Sequence, residues 1–333
     1  MSSDALLEVD DLRKSYRDRG GGPRRVRRTL DPSEHSRRPA LVDVSLRLER
    51  GEILGVVGES GSGKSTLARC VSLLERPDSG RVVFDGIDLT SLGTRALRPH
   101  RRRVQIVFQD PYASLNPRLT IRSMLAEVLH VHRLVPRDGI GTRIDELLAL
   151  VGLPAAAADR YPSDFSGGQR QRVCIARALA AEPDILIADE AVSALDVSIQ
   201  AQVLNLLMRL RDELGLTMIF ISHDLHVVRR IAPRIAVMFG GRIVELLPPG
   251  VPLEDARHPY TRALLAAAPR LDASRLEELE VTDMSAALPA GGCPFRDRCP
   301  HAFELCASED PPLLPIAGGH LAACHYVNGG ATE

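Results

Sequence analysis

A chain of 333 residues exceeds one small domain and can bury a sizeable core, so its length favours about two domains. Lys and Arg number 42 against 43 Asp and Glu, a formal net charge of −1, which argues against the basic face that a nucleic-acid binder presents. No apolar run reaches the roughly 18 to 20 residues of a membrane span and no signal-peptide core opens the chain, so a soluble, cytoplasmic protein is expected, with any membrane role supplied by a partner.

Leu6 to Val9 predicts a short first strand, and Val42, Val44, Leu46 and Leu48 alternate with Asp43, Ser45, Arg47 and Glu49 as a half-buried strand does. Between them lies an Arg-rich insert, 17–40. Its core from Arg17 to Arg38 holds eight Arg against Asp18, Asp31 and Glu34, with three consecutive Gly, so it reads as a mobile surface loop with no apolar face. The apolar run Ile53 to Val57 then leads into Gly58-Glu59-Ser60-Gly61-Ser62-Gly63-Lys64-Ser65-Thr66.

That stretch is a complete G-x-x-x-x-G-K-[ST] phosphate loop between a strand and a helix. Chance would place the four fixed positions in such a chain with a probability on the order of 1%. Its glycines permit backbone conformations that turn successive N–H groups toward phosphate oxygens at a helix N-terminus. Lys64 is expected to neutralise the β- and γ-phosphates of a nucleotide, and the Ser65 hydroxyl to ligate Mg²⁺.

Arg81 to Phe84 runs into an Asp85-Gly86 turn, and Val104 to Phe108 is another apolar strand. Helical periodicity follows at about 120–132 and 143–151, and Ser166 is placed to cap a helix running to about Ala181. Ile185 to Ala188 is a buried strand ending in Asp189-Glu190. Ile199 to Leu214 reads as helix, Met218 to Ser222 as strand, and Ile235 to Leu247 as a hairpin around Gly240-Gly241. Strands alternating with helices imply an α/β core over 1–247. Beyond Pro248 a Pro- and Ala-rich texture suggests a second, smaller domain, 248–333.

In a phosphate-loop protein an acidic pair ending an apolar strand has a use: Asp189 in the Mg²⁺ shell and Glu190 as the base that orients and deprotonates water. Phe165 to Gln169 opens a helix with small residues whose amides can approach an anion. Together these motifs resemble the ATP-binding subunit of ABC transporters. Gly58 to Thr66 matches Walker A, Gln109 the Q-loop, and Ser166, Gly167, Gly168 and Gln169 the signature. Ile185 to Glu190 matches Walker B, Ser193 to Asp196 the D-loop, and His223 the switch histidine. Tyr16 corresponds to the adenine-stacking aromatic. Ala191 stands where many members carry Pro, with no reacting group changed.

Gln109 to Pro117, Tyr161-Pro162, His258-Pro259-Tyr260-Thr261 and the C-terminal cysteines resemble the second ATPase of oligopeptide/dipeptide importers. The resemblance implies a P-loop NTPase of ABC type, with a RecA-like core, antiparallel β and helical subdomains, and a small Cys-containing C-terminal domain. It implies ATP hydrolysis by Glu190, His223 and Gln109 in a head-to-tail dimer with a homologous ATPase. Two membrane permeases and an extracytoplasmic solute-binding protein would complete the transporter, placing this chain peripherally on the cytoplasmic face of the membrane. The resemblance implies uptake of di- or oligopeptides or a related small solute, with nickel chelates or oligosaccharides as the alternative cargo. A soluble ABC ATPase acting on nucleic acid or ribosomes would show two cassettes or sustained heptads, which are missing here.

Cys70 and Cys174 read as small core hydrophobes, while Cys293, Cys299, Cys306 and Cys324 crowd near the C-terminus. A reducing cytoplasm disfavours disulfides. Their spacing matches neither the common zinc knuckles nor the bacterial ferredoxin run, so it leaves the metal open, with His301, His320 or His325 as substitute zinc ligands. The importer resemblance implies a [4Fe–4S] cluster of structural role.

Overall fold

The computed structural model describes residues 5–17, 37–193, 195–267 and 291–329. The chain opens with β1 (Ala5–Arg17), β2 (Arg37–Glu49), β3 (Ile53–Val57), α1 (Lys64–Val71), β4 (Ser79–Phe84), β5 (Ile87–Asp88), α2 (Thr94–Arg103) and β6 (Val104–Val107). A helical block follows: α3 (Pro111–Ser114), α4 (Ile121–His132), α5 (Ile140–Leu150) and α6 (Gly167–Leu179). Then come β7 (Ile185–Asp189), α7 (Val197–Leu214), β8 (Thr217–Ser222), α8 (Leu225–Ile231), β9 (Arg234–Phe239) and β10 (Arg242–Leu247). The C-terminal part carries α9 (Pro259–Ala267), α10 (Glu304–Ser308), β11 (Leu314–Ala317) and β12 (His320–Ala322).

Two sheets organise these elements. The larger runs β11-β12-β10-β9-β3-β8-β7-β6, and its five strands from β9 to β6 are parallel. Both faces of this sheet are covered, which is why its strands read as unbroken apolar runs. Ile53, Val57, Leu186, Met218 and Phe220 face one core with the helical block, while Leu54, Val56, Ile187, Ile219 and Ile221 face the other. That second core is closed by α1 and by the antiparallel sheet β2-β1-β4-β5. Register levels the carboxyl ends of the central strands: Val57 lies beside Ser222, and Asp189 beside Ile221. Residues just past β3, β7 and β8 therefore share one edge of the sheet.

Several expectations change. The first strand extends to Arg17, and Arg37, Arg38 and Pro39 pair with Arg17, Tyr16 and Ser15, so the ends of the expected 17–40 loop are strand. Its remainder, 18–36, lies outside the described residues. Helix α2 escaped the periodicity argument because Leu97 is its only buried residue and Pro99 lies inside it. Ion pairs tie down its C-terminal end instead, Arg103 meeting Asp184 at 2.6 Å and Asp85 at 2.8 Å.

Among the described residues, the expected C-terminal domain shares its apolar core with the main sheet. Strand β12 adds to the edge that β10 would leave open, and Cys293, Phe295 and Cys306 join the core of the main sheet. Phe239, Tyr260 and Phe295 form an aromatic cluster with centroids 4.6 to 5.4 Å apart. Beside it the wholly buried Glu245 carboxylate accepts from the N–H groups of Arg257 (2.6 Å) and His258 (3.1 Å) and bonds His320 Nε2 (2.8 Å).

Burial lowers the His258 imidazole from 6.5 to about 4. Between those values the unfolded chain binds the proton and the folded chain refuses it, so this group's stabilisation is complete above about pH 6.5 and lost as pH falls toward 4. The loss is about 3 kcal/mol as an order of magnitude, at 1.36 kcal/mol per pKa unit. Chemical denaturation across that range is expected to show a shallower acid-side fall for His258→Gln than for the parent chain.

Candidate functional site

The loop after β3 is shaped by close backbone approach. Gly58 has φ 155°, and a Cβ there would stand 2.2 Å from the Met238 carbonyl oxygen. Gly63, with φ 105°, would place one 2.5 Å from the Ala40 carbonyl oxygen. Only glycine fits either position. Ser62 is buried, and its carbonyl accepts from the Gly241 N–H at 3.0 Å, fastening the loop to the β9–β10 turn. Lys64, 4% exposed, turns back over the loop and donates to the carbonyls of Gly58 (2.7 Å) and Glu59 (2.8 Å).

Ser65, on the first turn of α1, donates its hydroxyl to Asp189 Oδ1 at 3.1 Å. Asp189 closes β7 at 4% exposure. Burial raises its carboxyl above the ordinary range against the pull of the Ser65 hydrogen bond, and the adjoining Glu190 adds to the rise. Burial likewise lowers Lys64, opposed by Glu190, Asp189 and Glu59. Burial therefore disfavours the charged forms of this carboxylate and this ammonium, and a divalent cation beside the one and a polyphosphate beside the other would offset that cost. Ser65 and Asp189 offer adjacent hard oxygen donors of the kind Mg²⁺ takes, so they fit that ion.

Glu190 lies one residue past β7 with φ 49°, a left-handed conformation uncommon for a non-glycine residue. Its N–H donates to the Ile221 carbonyl at 3.0 Å, and its own carbonyl accepts from Ser193. Held this way, its carboxylate stands 4.0 Å from Lys64 Nζ and 3.6 Å from His223 Nδ1. An open cleft of about 840 Å³ runs along this edge. Tyr16, Glu59, Ser60, Gly61, Gly63, Lys64, Ser65, Thr66, Gln109, Glu190 and His223 all line it, so most of the expected site residues come together. Tyr16 is fixed by a hydrogen bond from its hydroxyl to Glu75.

Ser166, Gly167, Gly168, Gln169 and Asp196 do not line that cleft. Ser166 caps α6 in a reciprocal box, its hydroxyl accepting from Gln169 N–H while Gln169 Oε1 accepts from Ser166 N–H at 3.0 Å. A Cβ on Gly168 would come 2.3 Å from Ile199 Cγ2, so the signature packs tightly on α7. Asp196 precedes α7 and is exposed; Ala194, within the expected D-loop, lies outside the described residues. Sequence reasoning missed Arg38, Leu264 and Ala267 as cleft residues, and it missed Tyr260 and Arg298 as partners of Glu59. Tyr260 carried a signal in His-Pro-Tyr-Thr, whereas Arg298 carried none.

Cys293, Cys306 and Cys324 are buried, Cys299 is partly so, and all are free thiols. Burial pushes Cys293 up to about 11, and Cys306, Cys324 and Cys299 add to that shift, so the four thiols share one neighbourhood. Even so, no set of three or more His, Cys, Asp or Glu side chains converges at metal-binding geometry among the described residues. The substitute ligands are engaged elsewhere: His320 bonds Glu245, His325 Nε2 bonds the Glu309 carbonyl at 3.0 Å, and His301 stacks on Tyr326 at 4.2 Å.

The parallel sheet, phosphate loop and acidic strand end define a phosphate-loop ATPase of the cassette type. Residues 41–193 match the ABC transporter family, and residues 244–306 the oligopeptide/dipeptide transporter C-terminal region. A probable peptide ABC transporter ATP-binding protein of Sinorhizobium fredii is 50% identical over 326 residues, covering 97% of this chain and 90% of that one. The oligopeptide transport ATP-binding protein AppF of Bacillus subtilis is 43% identical over 330 residues, covering 97% and 98%. Among solved structures, the ATP-binding cassette MJ0796, a dimer in a post-hydrolysis state with ADP and Pi, is similar at a TM-score of 0.62. It is 30% identical and covers 73% of this chain and 98% of that one. The chain belongs to the ATP-binding subunits of ABC transporters, in the branch that carries the oligopeptide/dipeptide C-terminal region.

Gly63→Ala forces a Cβ onto a backbone oxygen at a left-handed φ. It is expected to abolish ATP binding and to lower stability by roughly 2 kcal/mol or more, measured by nucleotide titration and denaturant unfolding.

Proposed function

We propose that this chain is the ATP-hydrolysing subunit of an importer that takes up peptides, bound peripherally to two membrane permeases on the cytoplasmic face of the membrane. One observation carries the reading: a single cleft gathers Lys64, Ser65, Gln109, Glu190 and His223, while the signature residues Ser166 to Gln169 stand outside it. In this reading one chain supplies all but one part of the hydrolytic constellation, and a homologous ATPase packed head to tail supplies the rest. The match of 244–306 to the oligopeptide/dipeptide transporter region and the names of the relatives support peptides as cargo, delivered by an extracytoplasmic binding protein. No helix among the described residues is long and apolar enough to cross a membrane, so the translocation path falls to the partners.

In this reading the N–H groups at the start of α1 hold the β- and γ-phosphates and Lys64 leaves the loop carbonyls to neutralise them. Ser65, Asp189 and Gln109 would hold Mg²⁺, which screens the phosphoryl oxygens. Glu190 accepts a proton from the water that attacks the γ-phosphorus, the bond to the β-bridging oxygen breaks, and ADP and phosphate leave. His223, beside Glu190, contacts the γ-phosphate and keeps that carboxylate in line. The partner's counterpart of Ser166 and the Gly167 and Gly168 amides adds fixed donors around the developing charge.

Cys293, Cys299, Cys306 and Cys324 are proposed to hold a [4Fe–4S] cluster, with zinc as the alternative. The shared neighbourhood of four thiols and the engagement of His320 with Glu245 support cysteine-only ligation. Burial raises Cys293, Cys299 and Cys324, and deprotonation on metal binding would reverse that shift.

Glu190→Gln is expected to keep ATP affinity within about twofold and to lower turnover by roughly 100-fold or more in the assembled transporter. Turnover within a few-fold of the parent would refute the assignment. Anaerobically purified protein is expected to carry about four iron and four acid-labile sulfide per chain. Stoichiometric zinc without iron would replace the cluster with a zinc site.

A further inference from the structure

Glu59, the second residue of the phosphate loop, is held from three directions. Its carbonyl accepts from Lys64 Nζ at 2.8 Å, inside the nucleotide cleft. Its N–H donates to the Tyr260 hydroxyl at 2.9 Å, across 201 residues of sequence. Its carboxylate takes both arms of the Arg298 guanidinium, at 2.9 and 2.8 Å, across 239 residues. Neither Tyr260 nor Arg298 lines the cleft, and both belong to the C-terminal region.

These two contacts are mounted on packed structure. Tyr260 is fully buried in the aromatic cluster with Phe239 and Phe295. The Arg298 guanidinium lies over the same two rings, 5.8 Å from Phe239 and 5.5 Å from Phe295. Phe239 ends β9 and adjoins the turn whose Gly241 N–H holds the Ser62 carbonyl. The cluster thus touches both outer anchors of the loop. Arg298 also directly precedes Cys299, so the order of the cysteine-bearing segment and the position of the guanidinium are linked by one peptide bond.

We propose that Arg298 and Tyr260 are positioning residues for ATP: they clamp Glu59 and through it set the phosphate loop and Lys64 in the conformation that receives the β- and γ-phosphates. The C-terminal region is then a working part of the nucleotide site. This rests on the reading of residues 58–66 as the phosphate cradle. A planar two-armed donor matched to a carboxylate fixes orientation as well as distance, which a lysine at the same place does only in part. Because Glu59 and Arg298 are partly exposed, the clamp acts on nucleotide affinity more than on folding.

The test uses the transporter complex purified from its host, with ATPase kinetics and thermal unfolding measured for each variant. Arg298→Gln is expected to raise KM for ATP about fivefold while kcat stays within about twofold, and Arg298→Lys to recover part of the loss. Tyr260→Phe, which keeps the ring and removes the acceptor, is expected to raise KM by about twofold to threefold. In a Glu59→Ala background, Arg298→Gln is expected to change KM no further. An unchanged KM in Arg298→Gln, or a loss that adds in full to that of Glu59→Ala, would overturn the clamp. So would a fall in unfolding temperature with kcat and KM intact. Lys64→Ala serves as the separate control: if it keeps parental ATP affinity, the phosphate-cradle reading fails, whatever the Arg298 variants do.

Discussion

The structure depends on a junction where three pieces of backbone come into direct contact. The phosphate loop, the β9–β10 turn and the start of β2 meet where Gly58 faces the Met238 carbonyl and Gly63 and Gly241 both face the Ala40 carbonyl. Hydrogen bonds lock the contact: Gly241 N–H to the Ser62 carbonyl at 3.0 Å, and Val42 N–H to the Gly241 carbonyl at 2.9 Å. A loop made to expose its N–H groups cannot satisfy them internally, so its shape has to be imposed from outside. Here the parallel sheet and the antiparallel sheet impose it together, at the edge where they come closest.

Around that junction the polar groups are placed with deliberate imbalance. Asp189 and Lys64 are each 4% exposed, and burial shifts both toward their neutral forms. Such groups are costly in an empty cleft and become favourable when ligands of opposite charge arrive. Glu190 completes the arrangement from a left-handed backbone position that its own N–H and carbonyl bonds enforce. The resulting cleft is ready for a phosphate-rich ligand, and the signature helix, capped and packed on α7, stands outside it.

The C-terminal region changes the picture of this cassette as a core with an appendage. Strand β12 continues the main sheet, Phe295 and two cysteines join its core, and the buried Glu245 carboxylate gathers the Arg257 and His258 N–H groups and the His320 ring. An exposed edge at β10 would invite pairing with another chain, and covering it from within solves that problem. The same covering brings Tyr260 and Arg298 to the outer side of the phosphate loop. A segment that folds over an edge to bury apolar surface thereby becomes mechanically continuous with the site.

The sequence by itself determined the phosphate loop, the acidic pair, the Ser166 cap and the apolar strands, because each is written in residues adjacent along the chain. Phosphate cradling, capping and double-faced burial are local demands, and local patterns answer them. Helix α2 was hidden because long-range ion pairs, rather than an apolar face, hold its end. The cleft, the 3.6 Å approach of His223 to Glu190, and the entry of Cys293, Phe295 and Cys306 into the core of the main sheet were decided only by tertiary structure. Sheet register and strand order set those relations, and neither is encoded in any one segment. The clamp on Glu59 is the extreme case, since its partners lie 201 and 239 residues away and meet it only because an aromatic cluster packs there.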